Sequence, residues 1–274
     1  MKLQPKNVEK PFRRLRKQLS KFPSKPRPEE VHSLRTQTRR LEATMGALIM
    51  DREKPSRRLL KSITPVRKAA GKVRDMDVLI GDALTLSDHH GNEALVRLVE
   101  YLAKMRVKST RKLRAVVRAQ RQDARRLLKQ SSKLIREKMR DGSAGLDGEA
   151  APGILITELS HWPELDAGNL HVFRIRIKEL RYMLQLSPQA DKRLVDTLGE
   201  VKDCIGEWHD WVELLKIAQK VLEPHSDREL LTHIEQTCSE KQADALRIAN
   251  LARERYFAGA DGRGSTQKIL QMAS

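Results

Sequence analysis

Aromatic residues make up only 4% of the 274-residue chain, too few to supply the platforms on which single-stranded bases stack. Cysteine is scarcer still. Cys204 and Cys238 form no CxxC or other metal-binding spacing, and they read as ordinary helix residues of a reducing compartment. No apolar run approaches the length that spans a bilayer. The opening MKLQPKNVEKPFRRLRKQL has no apolar core of a secretion signal. Together these absences predict a cytoplasmic protein with no membrane partner. Alternating strand-like runs are missing as well. Proline and glycine fall mostly between helix-period stretches, so the expected fold class is all-α.

Positive charge is what the chain has in excess. It carries 54 Lys and Arg against 36 Asp and Glu, a net charge of +18, and this points to a polyanionic partner. The excess is uneven. Residues 1–149 hold 38 basic and 17 acidic side chains, a balance of +21, whereas residues 150–274 hold 16 and 19, a balance of −3. Between Lys104 and Arg140 there are 15 basic residues and two acids.

In chain order, a short basic helix is expected around Val8 to Leu19, then a proline-spaced connector from Phe22 to Pro28. Glu29 and Glu30 open the next helix, where acids suit the N-terminal dipole, and it runs to about Asp51. Pro55 and Pro65 mark starts or kinks of a helical stretch ending near Leu84. His89 and His90 sit in the polar turn SDHHGN and read as solvated. Glu93 to Arg140 is a long helical region with a bend or break expected around Ala119 to Asp123. Its seam is Leu95, Leu98, Leu102 and Met105. Asp141 to Gly153 is a linker by composition. Helices follow near Ile154 to His161, from Leu170 to about Ser187, from Ala190 to Leu222 and from Asp227 to Tyr256, before a frayed tail from Gly259.

One stretch comes back. Val31 to Leu41, VHSLRTQTRRL, returns as Leu170 to Arg181, LHVFRIRIKELR. Setting His32 on His171 puts Arg35 on Arg174 and Arg39 on Lys178. At about 100° per residue, His32, Arg35 and Arg39 fall within about 60° of one another. His171, Arg174 and Lys178 do the same, with Arg181 beside them. A separate apolar stripe, Val31, Leu34 and Leu41 in one copy and Leu170, Phe173, Ile177 and Leu180 in the other, faces a core. The cationic ridge persists in a half that is not basic overall, so it looks positioned.

The following helix repeats too. VRKAAGKVRDMDV from Val66 and VKDCIGEWHDWV from Val201 align Arg67 with Lys202, Gly71 with Gly206, Arg74 with His209 and Asp75 with Asp210. The cationic positions are two turns apart on one face, about 10 Å along the axis. Glycine inside a helix costs up to about 1 kcal/mol against alanine, so its double occurrence predicts close helix packing rather than binding. Asp75 and Asp210 are expected to orient neighbouring Arg or His side chains. Two such repeats, about 8–140 and 154–257 joined by a linker at 141–153, should pair through equivalent faces. They would form one domain over 1–274, with two pseudo-symmetric antiparallel helical bundles around a basic central cleft or pore. Almost no competing acids are expected there, and its natural occupant is a flexible, dense anion.

The four blocks, VHSLRTQTRRL, GKVRDMDV, LHVFRIRIKELRYML and GEWHDWV, in this order and spacing, resemble the CHAD family, the conserved-histidine α-helical domain. The likeness runs from about Val8 to Tyr256. It implies two helical halves around a basic pore that binds inorganic polyphosphate without catalysis and without a cofactor, at polyphosphate granules of bacteria and archaea. Carried onto this sequence, the binding positions are His32, Arg35, Arg39 and Arg40 in the first half and His171, Arg174, Lys178 and Arg181 in the second. Arg67, Arg74, Lys202 and His209 line up on the following helices. Glu179 stands where the first copy has Arg40, and Phe173 where leucine is usual. The chain resembles a stand-alone form, without a triphosphate tunnel hydrolase domain. Its oligomeric state, a homo-oligomer included, stays open.

Two rival readings can be weighed on the residues. A metal-dependent phosphohydrolase using His32, His171 and the His209–Asp210 pair would need clustered carboxylates or neutral histidines, whereas arginines flank these histidines. A nucleic-acid binder would use the basic first half, but aromatics are few and the second ridge lies in an acidic half. Nucleic acid is therefore expected only as a non-specific polyanion.

Overall fold

The computed structural model describes residues 5–47, 53–87, 93–140, 150–185 and 190–257. His89, His90 and most of the expected linker lie outside them. The described residues form eight helices and no strand: α1 (Pro5–Ser20), α2 (Pro28–Ala47), α3 (Lys54–Leu84), α4 (Glu93–Arg140), α5 (Ala150–Ser160), α6 (Leu170–Leu184), α7 (Lys192–Val221) and α8 (Arg228–Tyr256). Pro55 occupies the first turn of α3, where its missing N–H is harmless. Pro65 lies inside the same continuous helix. Asp191 caps α7 by accepting a 2.8 Å hydrogen bond from the Arg193 backbone N–H.

Two expectations need correction. α4 is one unbroken helix of 48 residues, about 70 Å long at 1.5 Å per residue. Ala119 to Asp123 contain neither Gly nor Pro, and Val117, Ala124, Leu127 and Leu128 continue one buried stripe through the expected break. The linker is also shorter than read, because α5 already begins at Ala150. Pro152 is tolerated there because it sits in the first turn.

Three apolar cores hold these helices. The first joins α1, α2, α3 and the C-terminal part of α4 through residues such as Phe12, Leu34, Ile63 and Leu128. The second joins α5, α6, α7 and the end of α8 through Ile156, Phe173, Leu198 and Ala249. Each fully buried Leu, Ile or Phe contributes about 1.5–3 kcal/mol. The third core belongs to both halves. It gathers the end of α3 and the start of α4 (Leu79, Leu98, Leu102) with the end of α7 and the start of α8 (Trp211, Leu214, Ile234). An ion pair closes it. Arg97 donates through Nη2 to both oxygens of buried Asp227, at 2.7 and 2.8 Å. That hydrogen bond, with one from the Glu223 backbone N–H, holds the carboxyl below the usual carboxylate range. The shared core sets how the halves meet, and therefore how the remaining faces of α2, α3, α6 and α7 stand against each other.

Candidate functional site

α2 contacts α6, and α3 contacts α7, along the seam between the halves. The rotation of α2 and α6 is fixed by their apolar stripes. Val31, Leu34, Leu41 and Met45, and Leu170, Phe173, Ile177, Leu180 and Leu184, are fully buried. Turning those stripes inward brings the adjacent cationic rows to the seam.

Lys178 marks the centre of the resulting field. Its pKa is pushed down to about 7, first by burial, then by the charges of Arg39, Arg174, Arg35 and Lys202. These come from α2, α6 and α7, so both halves contribute. Arg39 shares the crowding. Burial and then Arg35 lower its pKa, with Arg67 and Arg174 acting alike and Tyr182 opposing. Its Nε is buried and has no hydrogen-bond acceptor. A buried guanidinium N–H without an acceptor is costly, and an anion would supply one. His32 on α2, though largely exposed, is held below its usual range, first by partial desolvation, then by Arg74, Arg35, Lys202 and Arg40. His171 is lowered by burial, then His209, Arg174 and Lys178. The His171 and His209 rings lie 4.9 Å apart between centroids, tilted by 35°.

The repeated glycines serve this arrangement directly. Arg174 lies over Gly206 and donates from Nε to the Lys202 carbonyl at 3.0 Å. A Cβ at position 206 would overlap Arg174 Nη2. Arg35 Nε stands 3.6 Å from where a Cβ of residue 71 would be, an ordinary contact, so the approach at Gly71 is looser than at Gly206. Gly199 makes the same kind of room for Arg181, whose Nε donates to the Val195 carbonyl at 3.1 Å. The close packing read from the glycines is thus packing against arginines. Gly206→Ala tests this. It should change thermal stability by less than about 1 kcal/mol, because the helix preference of alanine is set against the Arg174 hydrogen bond lost at the Lys202 carbonyl, while displacing Arg174 and weakening anion binding. Thermal unfolding and a binding titration of the same variant check both halves of that statement.

The acid-free cleft is not what is found. Arg67 is neutralised by Glu42, with Nε at 2.9 and 2.7 Å from its two oxygens. Lys202 pairs with Asp203. Asp75 lies 3.9 Å from Arg35, and Asp210 lies 3.9 Å from His209 Nδ1. Carboxylates of α2, α3 and α7 therefore stand beside several of the cations. The charges that most depress Lys178 are all positive; Arg35 and Lys202 among them have carboxylate partners, whereas Arg39 and Arg174, on α2 and α6, have no ion pair among the described residues. Arg181 is engaged with α7 through the Val195 carbonyl. Among the described residues, no group of three or more His, Cys, Asp or Glu is placed to hold a metal ion. None of the described helices is long and apolar enough to cross a membrane.

A family model described as the CHAD domain matches residues 7–219. The chain belongs to the CHAD family. Its fold is similar to the crystal structure of the CHAD domain from the plant Ricinus communis, with a TM-score of 0.66 at 18% identity, covering 91% of this chain and 89% of that one. No curated protein sequence matches it.

Some residues of this CHAD domain stand at the site without belonging to the matched cationic rows. Tyr182 is felt by both Arg39 and Arg174. It lies four residues after Lys178, one turn along the same ridge, a signal the sequence does carry. Lys10 and Arg14 of α1 stand beside Arg40. They lie outside both repeated blocks, so matching the halves could not find them.

Proposed function

We propose that the chain binds inorganic polyphosphate, without catalysis, on the cations gathered between its halves. The observation that carries this reading is the gathering of Arg35, Arg39, Arg174 and Lys202 around a half-buried Lys178, whose pKa is brought to about 7 first by burial and then by those charges. Such a cluster resists its own charge until an anion enters. Arginine forks bond phosphate oxygens in pairs, and these charge-assisted bonds are about twice as strong as neutral ones. A polyphosphate chain is dense in charge, thin and without bases to read, and it matches a narrow field that draws on several helices. The family to which the chain belongs supports the reading. Targeting to cytoplasmic polyphosphate granules follows as its cellular counterpart.

Calorimetric titration with long-chain polyphosphate, at several salt concentrations and beside duplex DNA of matched charge, tests this reading. Polyphosphate should bind more tightly than DNA. Its affinity should fall steeply with salt, by about 0.7–0.9 of a counterion per phosphate contacted. Equal binding of the two polymers would overturn an internal site in favour of the outer basic face of α4.

A further inference from the structure

A second basic recess lies beside the central cluster. α1 and α2, with Tyr182 and Gln185 at the end of α6, line an open-sided hollow of about 280 Å3. Its polar walls include Lys10, Arg14, Arg40, Gln37, Tyr182 and Gln185, and among the described residues no carboxylate lines it. The hollow and the cluster share their helices. On α2, Arg39 faces the cluster and the next residue, Arg40, faces the hollow. On α6, Lys178 belongs to the cluster, and Tyr182, one turn on, lines the hollow while lying in the field of Arg39 and Arg174. Tyr182 therefore stands at the junction.

We propose that this hollow is a continuation subsite, which takes the next run of phosphates as a bound polyphosphate leaves the cluster along the α2–α6 seam. The proposal rests on the functional reading above and adds a direction to it. Lys10 and Arg14 sit four residues apart on α1, so both point the same way. α1 is held by Val8, Phe12, Leu15 and Leu19 on its opposite face, all buried. The two cations are exposed, so their removal leaves the core of α1 intact. A short anion that fills the cluster alone has no use for them. A long one does.

Lys10→Ala/Arg14→Ala is titrated with tripolyphosphate and with long-chain polyphosphate across a salt series. Arg16→Ala/Lys17→Ala, the same charge loss on exposed α1 positions outside the hollow, serves as the control. The expected result is a selective one. For the long chain, the slope of log affinity on log salt should fall by about two, one for each lost phosphate contact. Tripolyphosphate binding should stay unchanged, and the control should bind both as the unmodified chain does. Equal losses in variant and control would reduce the effect to general charge and overturn the subsite. So would no loss for the long chain, or an equal loss for tripolyphosphate. If the unmodified chain binds neither polyphosphate, the functional reading itself fails, and the subsite with it.

Discussion

Lys178→Met should make the empty protein more stable at pH 6 and a poorer polyphosphate binder. A lysine ordinarily titrates near 10.5, and this one stands at about 7 in the folded chain. At 1.36 kcal/mol per pH unit the full displacement would be worth roughly 5 kcal/mol. The side chain is only partly buried, and solvent screening leaves on the order of 2 kcal/mol. The sign follows from proton counting. In the unfolded chain Lys178 stays charged to about pH 10.4. Between about pH 7 and pH 10 the unfolded state therefore binds more protons, and stability of the unmodified chain rises with pH. Below about 7 both states are charged and the repulsion acts in full. Methionine fills similar space without the charge, so the variant should melt about 4–8 °C higher at pH 6. That advantage should shrink towards pH 10. A variant melting at or below the unmodified chain at pH 6 would mean that Lys178 does not sit in a repulsive field.

The same residue makes binding depend on pH. An anion restores the lysine's affinity for its proton, so above about pH 7 binding must take one up, and affinity should fall by up to tenfold per pH unit. His32 and His171, held below their usual range by burial and by cationic neighbours, extend the trend to lower pH. In Lys178→Met the dependence above pH 7 should flatten. Titrations at constant ionic strength from pH 6 to 9 would separate this effect from screening.

The helices were legible because their apolar residues recur with the helical period and the breaks carry Pro or Gly. α6, with its stripe of Leu170, Phe173, Ile177 and Leu180, was readable to within a few residues. The core joining Leu98 and Leu102 to Leu214 and Ile234 was not. Each contributing stripe looks like ordinary amphipathicity, and only the folded chain brings helix ends from the two halves together. The cationic ridges could be placed on faces by angle alone, but their partners could not. Glu42 reaches Arg67 from a different helix, and the Val195 carbonyl takes up Arg181 Nε. Periodicity locates a charge on a helix; it does not say what faces that charge from the next one. The glycines fall between these cases. Their repetition announced close approach, and the structure adds that an arginine is what approaches.

Removing Arg35 and Arg174 together should abolish most polyphosphate binding while the fold survives. One comes from each half, each lies against the glycine of the following helix, and both act on Lys178. Arg174 feels burial first, with Asp210 opposing and Arg35 adding repulsion, so its truncation removes a crowded charge. The Lys202 carbonyl loses a side-chain donor, a loss of about 1 kcal/mol, which relief of repulsion offsets in part. Binding has no such compensation. Charge-assisted bonds to an anion contribute about 1.5–3 kcal/mol each, so Arg35→Ala/Arg174→Ala should weaken polyphosphate binding by roughly 10²–10⁴-fold. Arg35→Lys/Arg174→Lys keeps the charge but loses the paired donors, and should fall between. Duplex DNA, for which the exposed arginines and lysines of α4 offer a generic basic face, should show little change in affinity in either variant. The contrast between the polymers is what identifies the site. Parallel losses for polyphosphate and DNA would mean that Arg35 and Arg174 contribute only to overall charge. An undiminished polyphosphate affinity in a folded double alanine variant would move the binding site away from the seam between the halves.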